Sequence, residues 1–167
     1  MAFRGLPFPY KALVNMDHIA LKTSVLKAAR EHLETTIADL RERISDLKSV
    51  TIGDDNSESA SQTESRRGSD MELMNSLDDQ LVNTLKALDR VEEIDPAIRL
   101  DVVQYGAVVR TDQRNFLIAA SMDDFDAAGE EYLGVTPKAP VIQALTGRKA
   151  GESATVNGIT YQVKDIC

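Results

Sequence analysis

Polar and apolar positions follow two different rhythms along this chain, and the change of rhythm divides it. From Asp17 to Val50 there is neither Pro nor Gly, and Ile19, Leu26, Leu33, Leu40 and Leu47 recur every seventh residue. Ile37 and Ile44 fall at the complementary positions, which gives an a/d seam and predicts a long helix with Asp17 as its N-cap. A second stretch, Asp70 to Ile94, repeats the pattern: Met74, Leu81 and Leu88 form one row, Leu77 and Val91 most of the other. Either stripe is too narrow to be buried alone, so the two helices are expected to pair as an antiparallel coiled-coil hairpin over residues 17–95.

The connection 51–69 is nearly devoid of apolar residues and rich in Ser, Asp and Gly, so it reads as a loop. At 1.5 Å per residue the first helix reaches about 45–50 Å, which carries that polar loop far from any globular body as a tip. Residues 1–16, with Pro7, Pro9 and the pair Arg4-Gly5, read as an irregular arm, with Met16 as an alternative start.

Beyond Pro96 the seven-residue rhythm gives way to short β-type runs. Val102-Val103 and Ala107–Val109 flank Tyr105-Gly106, and Asn115–Ala120 and Glu131–Val135 follow. Ala139–Gly147 reads as a short helix with Pro140 in its first turn and Gly147 at its C-terminal cap. Ser153–Val156 and Ile159–Ile166 form a hairpin around Asn157-Gly158, the strongest short turn signal in the chain. The expected fold class is α+β: the hairpin, then a small antiparallel sheet with one helix over residues 96–167, of which 98–167 are self-contained enough to fold alone.

Composition narrows the chemistry. Only 5% of residues are aromatic and there is no Trp, which weighs against a deep ligand cavity and a small-molecule enzyme. A net charge of −8 argues against wrapping nucleic acid, because Lys and Arg supply phosphate affinity; a partner would have to hold any nucleic acid involved. The acidity is concentrated in residues 1–95, with 12 Lys and Arg against 18 Asp and Glu, compared with 7 against 9 afterwards. The one cysteine, Cys167, allows no disulfide framework, and no apolar run approaches the length of a membrane span. Without a secretory signal core at the N-terminus, a soluble, cytoplasmic protein is expected, monomeric if the heptads pair within the chain. His18 and His32 have no carboxylate and thiolate constellation around them and are expected on the surface or in the seam, not on a metal.

Several segments of the second half resemble the Gre family of bacterial transcription elongation factors. Val103–Val109 is similar to the family's opening strand with its Gly. Val135–Pro140 stands where the family has an IS-x-x-SP turn, Ala144–Glu152 where it has ALLGKxxGD, and Gly158–Val163 matches its final strand. The resemblance implies an FKBP-like domain after a coiled coil, docking on the rim of the secondary channel of RNA polymerase while the coiled coil enters the channel. It further implies an accessory factor, not an enzyme, with no cofactor of its own. Acidic residues at its tip would help hold the polymerase's second Mg²⁺ and promote cleavage of backtracked RNA. The family's tip reads approximately GDLSENAEY. Here Gly53-Asp54 reproduces the opening dipeptide, and Asp55 and Glu58 reproduce the acidic spacing one residue out of step, without the following Asn and Tyr. Asp54, Asp55 and Glu58 are thus the implied catalytic carboxylates, with Asp55 and Glu58 on the metal, since Mg²⁺ takes oxygen ligands from one or two carboxylates, phosphates and water. Two other readings stay open. One is a channel-binding regulator or inhibitor without cleavage. The other is an FKBP-like prolyl isomerase or chaperone, whose aromatic pocket would have to come from Tyr105, Phe116, Phe125, Tyr132 and Tyr161. Arg148-Lys149 reads as a polymerase contact or a solvated turn.

Overall fold

The computed structural model describes the backbone of residues 8–53 and 60–167 and the side chains of residues 17–50 and 66–167. Helix α1 spans Phe8–Gly53 and α2 spans Ala60–Glu92. Both run further than the heptads predict. Residues 8–16 are helical where an irregular arm is expected, Asp17 lies inside α1 instead of capping it, and the expected loop 51–69 yields Thr51–Gly53 to α1 and Ala60–Ser69 to α2. Serines and Gly68 read as breakers, yet Gln62, Glu64, Arg66 and Arg67 between them are good helix formers. Gly68 stands in the helix with nothing within 4 Å of where a Cβ would be, a cost of about 1 kcal/mol relative to Ala.

The two helices pair antiparallel. Near the distal end Leu40, Ile44 and Leu47 meet Leu77 and Leu81; near the base Val25, Leu26, Ala29 and Leu33 meet Ala87 and Val91. Ile19, first of the predicted row, is 39% exposed and leaves the seam. Among the described residues no helix is long and apolar enough to cross a membrane.

Six strands follow: β1 Val108–Thr111, β2 Asn115–Ile118, β3 Met122–Ala127, β4 Glu130–Val135, β5 Ser153–Val156 and β6 Ile159–Ile166, with α3 (Pro140–Leu145) between β4 and β5. Their order across the sheet is β3-β4-β2-β1-β6-β5. The sheet is mixed, not purely antiparallel as expected, because β2 and β4 pair in parallel, Asn115–Ile118 opposite Tyr132–Val135. The difference traces to β3, which the hydrophobic pattern does not reveal: the chain leaves β2, runs along the outer edge as β3, and turns back so that β4 lies between them. Val102-Val103 is no strand. Val103 instead donates to Arg148 O at 2.9 Å and accepts from Gly147 N at 2.9 Å, tying the entry of the sheet to the end of α3.

Both tight hairpins use two residues with positive φ, Ala128 and Gly129 (51° and 80°) and Asn157 and Gly158 (50° and 78°), the conformation whose twist matches that of paired strands. Asn-Gly announces this turn. Ala-Gly does not, because Ala bears a Cβ that the left-handed region penalises.

Alternate residues of the strands serve two cores. Val109, Phe116, Ile118, Val135 and Val163 pack with Ile142 and Leu145 of α3 on one face. Val108, Leu117, Phe125 and Tyr132 pack with Val25, Leu26, Ala29 and Leu33 of α1 and Ala87 and Val91 of α2 on the other. The base of the hairpin is therefore a layer of the globular domain. This revises the expectation that residues 98–167 fold alone. Uncovering Val108, Leu117, Phe125 and Tyr132 forfeits about 1.5–3 kcal/mol each, which together rivals the roughly 5–15 kcal/mol that holds a domain folded. Calorimetry of that fragment is expected to show no cooperative transition, and a sharp melt would refute the dependence. In the full chain, Ala128→Asn is expected to raise stability by about 0.5–1 kcal/mol by relieving the left-handed alanine, read from the midpoint of denaturant unfolding, while Ala128→Val lowers it.

Candidate functional site

The hairpin is the feature from which a site is built. At 1.5 Å per residue the 46 residues of α1 extend about 70 Å, and the base cores hold this shaft against the sheet. Asp54, Asp55 and Glu58, the carboxylates expected at its tip, lie outside the described residues. Along the shaft, Asp39, Glu42, Asp46, Glu72, Asp78 and Asp79 are exposed, and Asp70 is half-buried. The shaft is not polar all round: Val50 and Leu73, 59% and 51% exposed, flank a shallow groove with Leu47 and Leu77. Among the described residues no three His, Cys, Asp or Glu side chains are grouped to hold a metal.

Where the hairpin leaves the sheet, a cleft of about 830 Å³ opens between α1, α2 and the ends of β3 and β4. Its helical wall carries His32, Thr36, Gln80 and Asn83; its sheet wall carries Met122, Asp123, Asp124 and Leu133. Within the sheet wall, β3 packs closely on β4 because position 134 is glycine: a Cβ there would stand 2.2 Å from Met122 Cγ and 2.9 Å from Ala120 O. His32 leans on Phe125 with ring centroids 6.3 Å apart, and Arg114 pairs with Asp124 on the lip. The result is an amphipathic crook with an acidic lip. Long-range pairing of β3 with β4 creates it, so no local sequence signal could have revealed it.

At the opposite end of the sheet, polar groups pin the foot of α1. Lys22, 2% exposed, donates to Ile98 O at 2.9 Å, and burial lowers the pKa of its ammonium. Lys22 shares a helix face with Ile19 and Leu26, and a cation among apolar neighbours at that spacing was the one available signal. His18 Nε2 stands 3.2 Å from Asp165 Oδ1, and Arg110 bridges Asp165 to Glu130. Glu130 Oε2 accepts from Tyr132 OH at 3.4 Å. Tyr132 is fully buried, and burial pushes its phenol up to about 12.

The aromatics of the sheet domain do not converge. Phe116 and Tyr161 meet on the α3 side, Phe125 and Tyr132 on the hairpin side, and Tyr105 OH donates to Arg90 O at the end of α2. A proline pocket needs them together, so the isomerase reading has no geometric basis among the described residues. Arg148 and Lys149 are exposed, and Arg148 Nη1 lies 3.7 Å from Glu152 Oε2 across the turn.

No protein-family model matches the chain, and no curated protein matches it. Among solved structures the chain is similar to GreA factor homolog 1 (Gfh1) of Thermus thermophilus at 14% identity, over 84% of this chain and 96% of that one, with a TM-score of 0.25. At that score the likeness is distant, and nothing about activity or partner rests on it.

The raised phenol of Tyr132 makes a stability test of the foot. The folded state favours the neutral phenol, so its contribution is intact below about pH 10 and is lost as pH rises toward about 12. The loss is at most about 2–3 kcal/mol. Alkaline denaturation of Tyr132→Phe is expected to lack this component; an unchanged alkaline profile would show that the phenol does not report on the foot.

Proposed function

We propose that this chain is a Gre-like accessory factor that binds RNA polymerase at its secondary channel and stimulates cleavage of backtracked transcripts through carboxylates at the hairpin tip. The observation that carries the reading is the shaft itself: two paired helices anchored as a layer of a small α+β domain and extending well beyond it. Such a body suits insertion, because the domain can rest on a surface while the shaft reaches inward. A body entered by the hairpin meets the crook next, where the acidic lip of Asp123 and Asp124 and the polar helical wall offer a docking surface. The sequence resemblance supports the same assignment: Val135–Pro140, which resembles the family's turn, leads from β4 into α3, and Gly147 follows α3 with φ of 80°.

The division of labour follows from charge. With a net charge of −8 the chain is unsuited to gripping RNA, so the polymerase holds the nucleic acid. Mg²⁺ in phosphoryl transfer clamps the attacking and leaving oxygens, and the part left to this chain is to bring Asp54, Asp55 and Glu58 to the polymerase's active site. The one-residue disagreement at the tip favours a second reading, a channel-binding regulator without cleavage activity.

Replacing the three carboxylates together, by Asp54→Asn, Asp55→Asn and Glu58→Gln, keeps shape and removes charge. Polymerase affinity is expected to survive while transcript cleavage in stalled complexes falls by orders of magnitude, because charge stabilisation at the metal is worth several kcal/mol. Unchanged cleavage would remove these residues from the role. Tight binding by the unmodified protein with no cleavage would select the regulatory reading, and no binding would reject both.

A further inference from the structure

Besides the connection 93–107 and the apolar base core, two polar side chains of α1 tie the hairpin to the structure around its foot. Apolar packing is non-directional, so by itself it lets a helix slide or turn slightly on the sheet that it covers. Lys22 supplies a direction. It is 2% exposed, and its ammonium, instead of reaching out to water as a surface lysine does, donates to Ile98 O at 2.9 Å across 76 residues of sequence. His18, one helical turn earlier on the same face, places Nε2 3.2 Å from Asp165 Oδ1.

The two ties end on different supports. The Ile98 carbonyl belongs to a turn closed by Ile98 N to Asp95 O at 3.2 Å and by Ala97 N to Asp95 Oδ1 at 2.9 Å. Further along the same connection, Val103 is bonded in both directions to Gly147 and Arg148, so this support is rooted at the end of α3, on the far face of the sheet. Asp165 belongs to β6. It stands 3.9 Å from Arg110 of β1, which pairs with Glu130 of β4 at 3.0 Å, so the second support is the sheet itself. A single tie would leave a swivel, whereas two ties on separate supports resist turning as well as sliding.

We infer that Lys22 and His18 are positioning residues that set the direction in which the shaft leaves the domain, Lys22 through the Ile98 carbonyl and His18 through Asp165. Added stability is not what Lys22 supplies. Burying an ammonium is costly, and a well-packed apolar side chain of similar volume is usually neutral or stabilising in its place. Direction matters because an error at the foot grows with distance. Ser45, exposed on the shaft, lies about 35 Å of helix beyond Lys22, so a turn of about 5° at the foot moves it by about 3 Å. The consequence for transcript cleavage rests on the polymerase reading; the positioning role does not.

The test measures direction without the polymerase. Nitroxide labels at Ser45→Cys on the shaft and Ser153→Cys on β5, both exposed positions, report the distance between hairpin and domain in the full-length protein by pulsed EPR. Cys167 stays unlabelled, because it is buried and its thiol is pushed up to about 11. Lys22→Met is expected to melt at or above the temperature of the unmodified protein, while the distance distribution shifts or broadens by about 3 Å or more. Lys22→Arg keeps a donor and is expected to hold the narrow distribution. Should Lys22→Met fail to fold, His18→Leu at the less buried tie is expected to broaden the distribution in the same way. An unchanged distribution in the variant that folds overturns the proposal, as does equal broadening in Lys22→Met and Lys22→Arg, which would assign the effect to packing alone. With polymerase, the broadened variant is expected to bind with unchanged affinity and to cleave at least about tenfold more slowly. Unchanged cleavage despite broadening would overturn the link from direction to cleavage, whereas no binding by the unmodified protein would reject the polymerase reading and leave the distance result standing.

Discussion

A sheet with two apolar faces cannot stand with one of them in water, and this requirement organises the whole molecule. Val108 and Val109, or Phe116 and Leu117, are adjacent in sequence and buried on opposite sides. The single short helix α3 covers one side only. The other must be covered by something, and the base of the hairpin is what the chain supplies. Hydrophobic burial at about 25 cal/mol per Å² then fixes how the shaft is mounted, because the helix residues that complete the core also set the direction in which α1 leaves it.

The polar contacts at the foot make sense in that frame. Apolar packing holds two surfaces together without fixing their register closely. Directional contacts restrict sliding, and they are found on the N-terminal side of the base core of α1: Lys22 to the Ile98 carbonyl and His18 to Asp165. A buried ammonium is a poor source of net stability. Its value here lies in specifying one arrangement of helix on sheet among the several that greasy faces would tolerate.

How much of this was legible in the sequence depended on whether the signal was local. The seam was legible because Leu26, Leu33 and Leu40 repeat with the helical period, and the terminal hairpin because Asn157-Gly158 suits only one turn. Helix ends were misjudged: Asp17 resembles a cap and the serines before Asp70 resemble a loop, yet cooperative propagation carries both helices through. Strand β3 was missed because Asp123, Asp124 and Asp126 hide its buried positions and because Ala128-Gly129 makes the turn that Asn-Gly would have announced. Its omission concealed the parallel β2–β4 pair and with it the cleft. One sign of the two-sided sheet was present and undervalued. The unbroken run Phe116–Ala120 lacks the alternation of a strand with one face in water, and such runs belong to strands covered on both sides.

The same constraint bears on how a tip so far away could be placed accurately. Gly53 lies twenty residues beyond Leu33, the last α1 residue in the base core, which is about 30 Å of helix. A rotation of about 5° at the base therefore displaces that end by about 3 Å. Misplacing a reacting group by about 1 Å is enough to cost on the order of a hundredfold in rate. Cleavage carried by the tip would thus require the base to be held to within a degree or two, more tightly than channel binding alone demands. Mounting the shaft as a layer of the core, with directional contacts beside its base, restricts such a rotation.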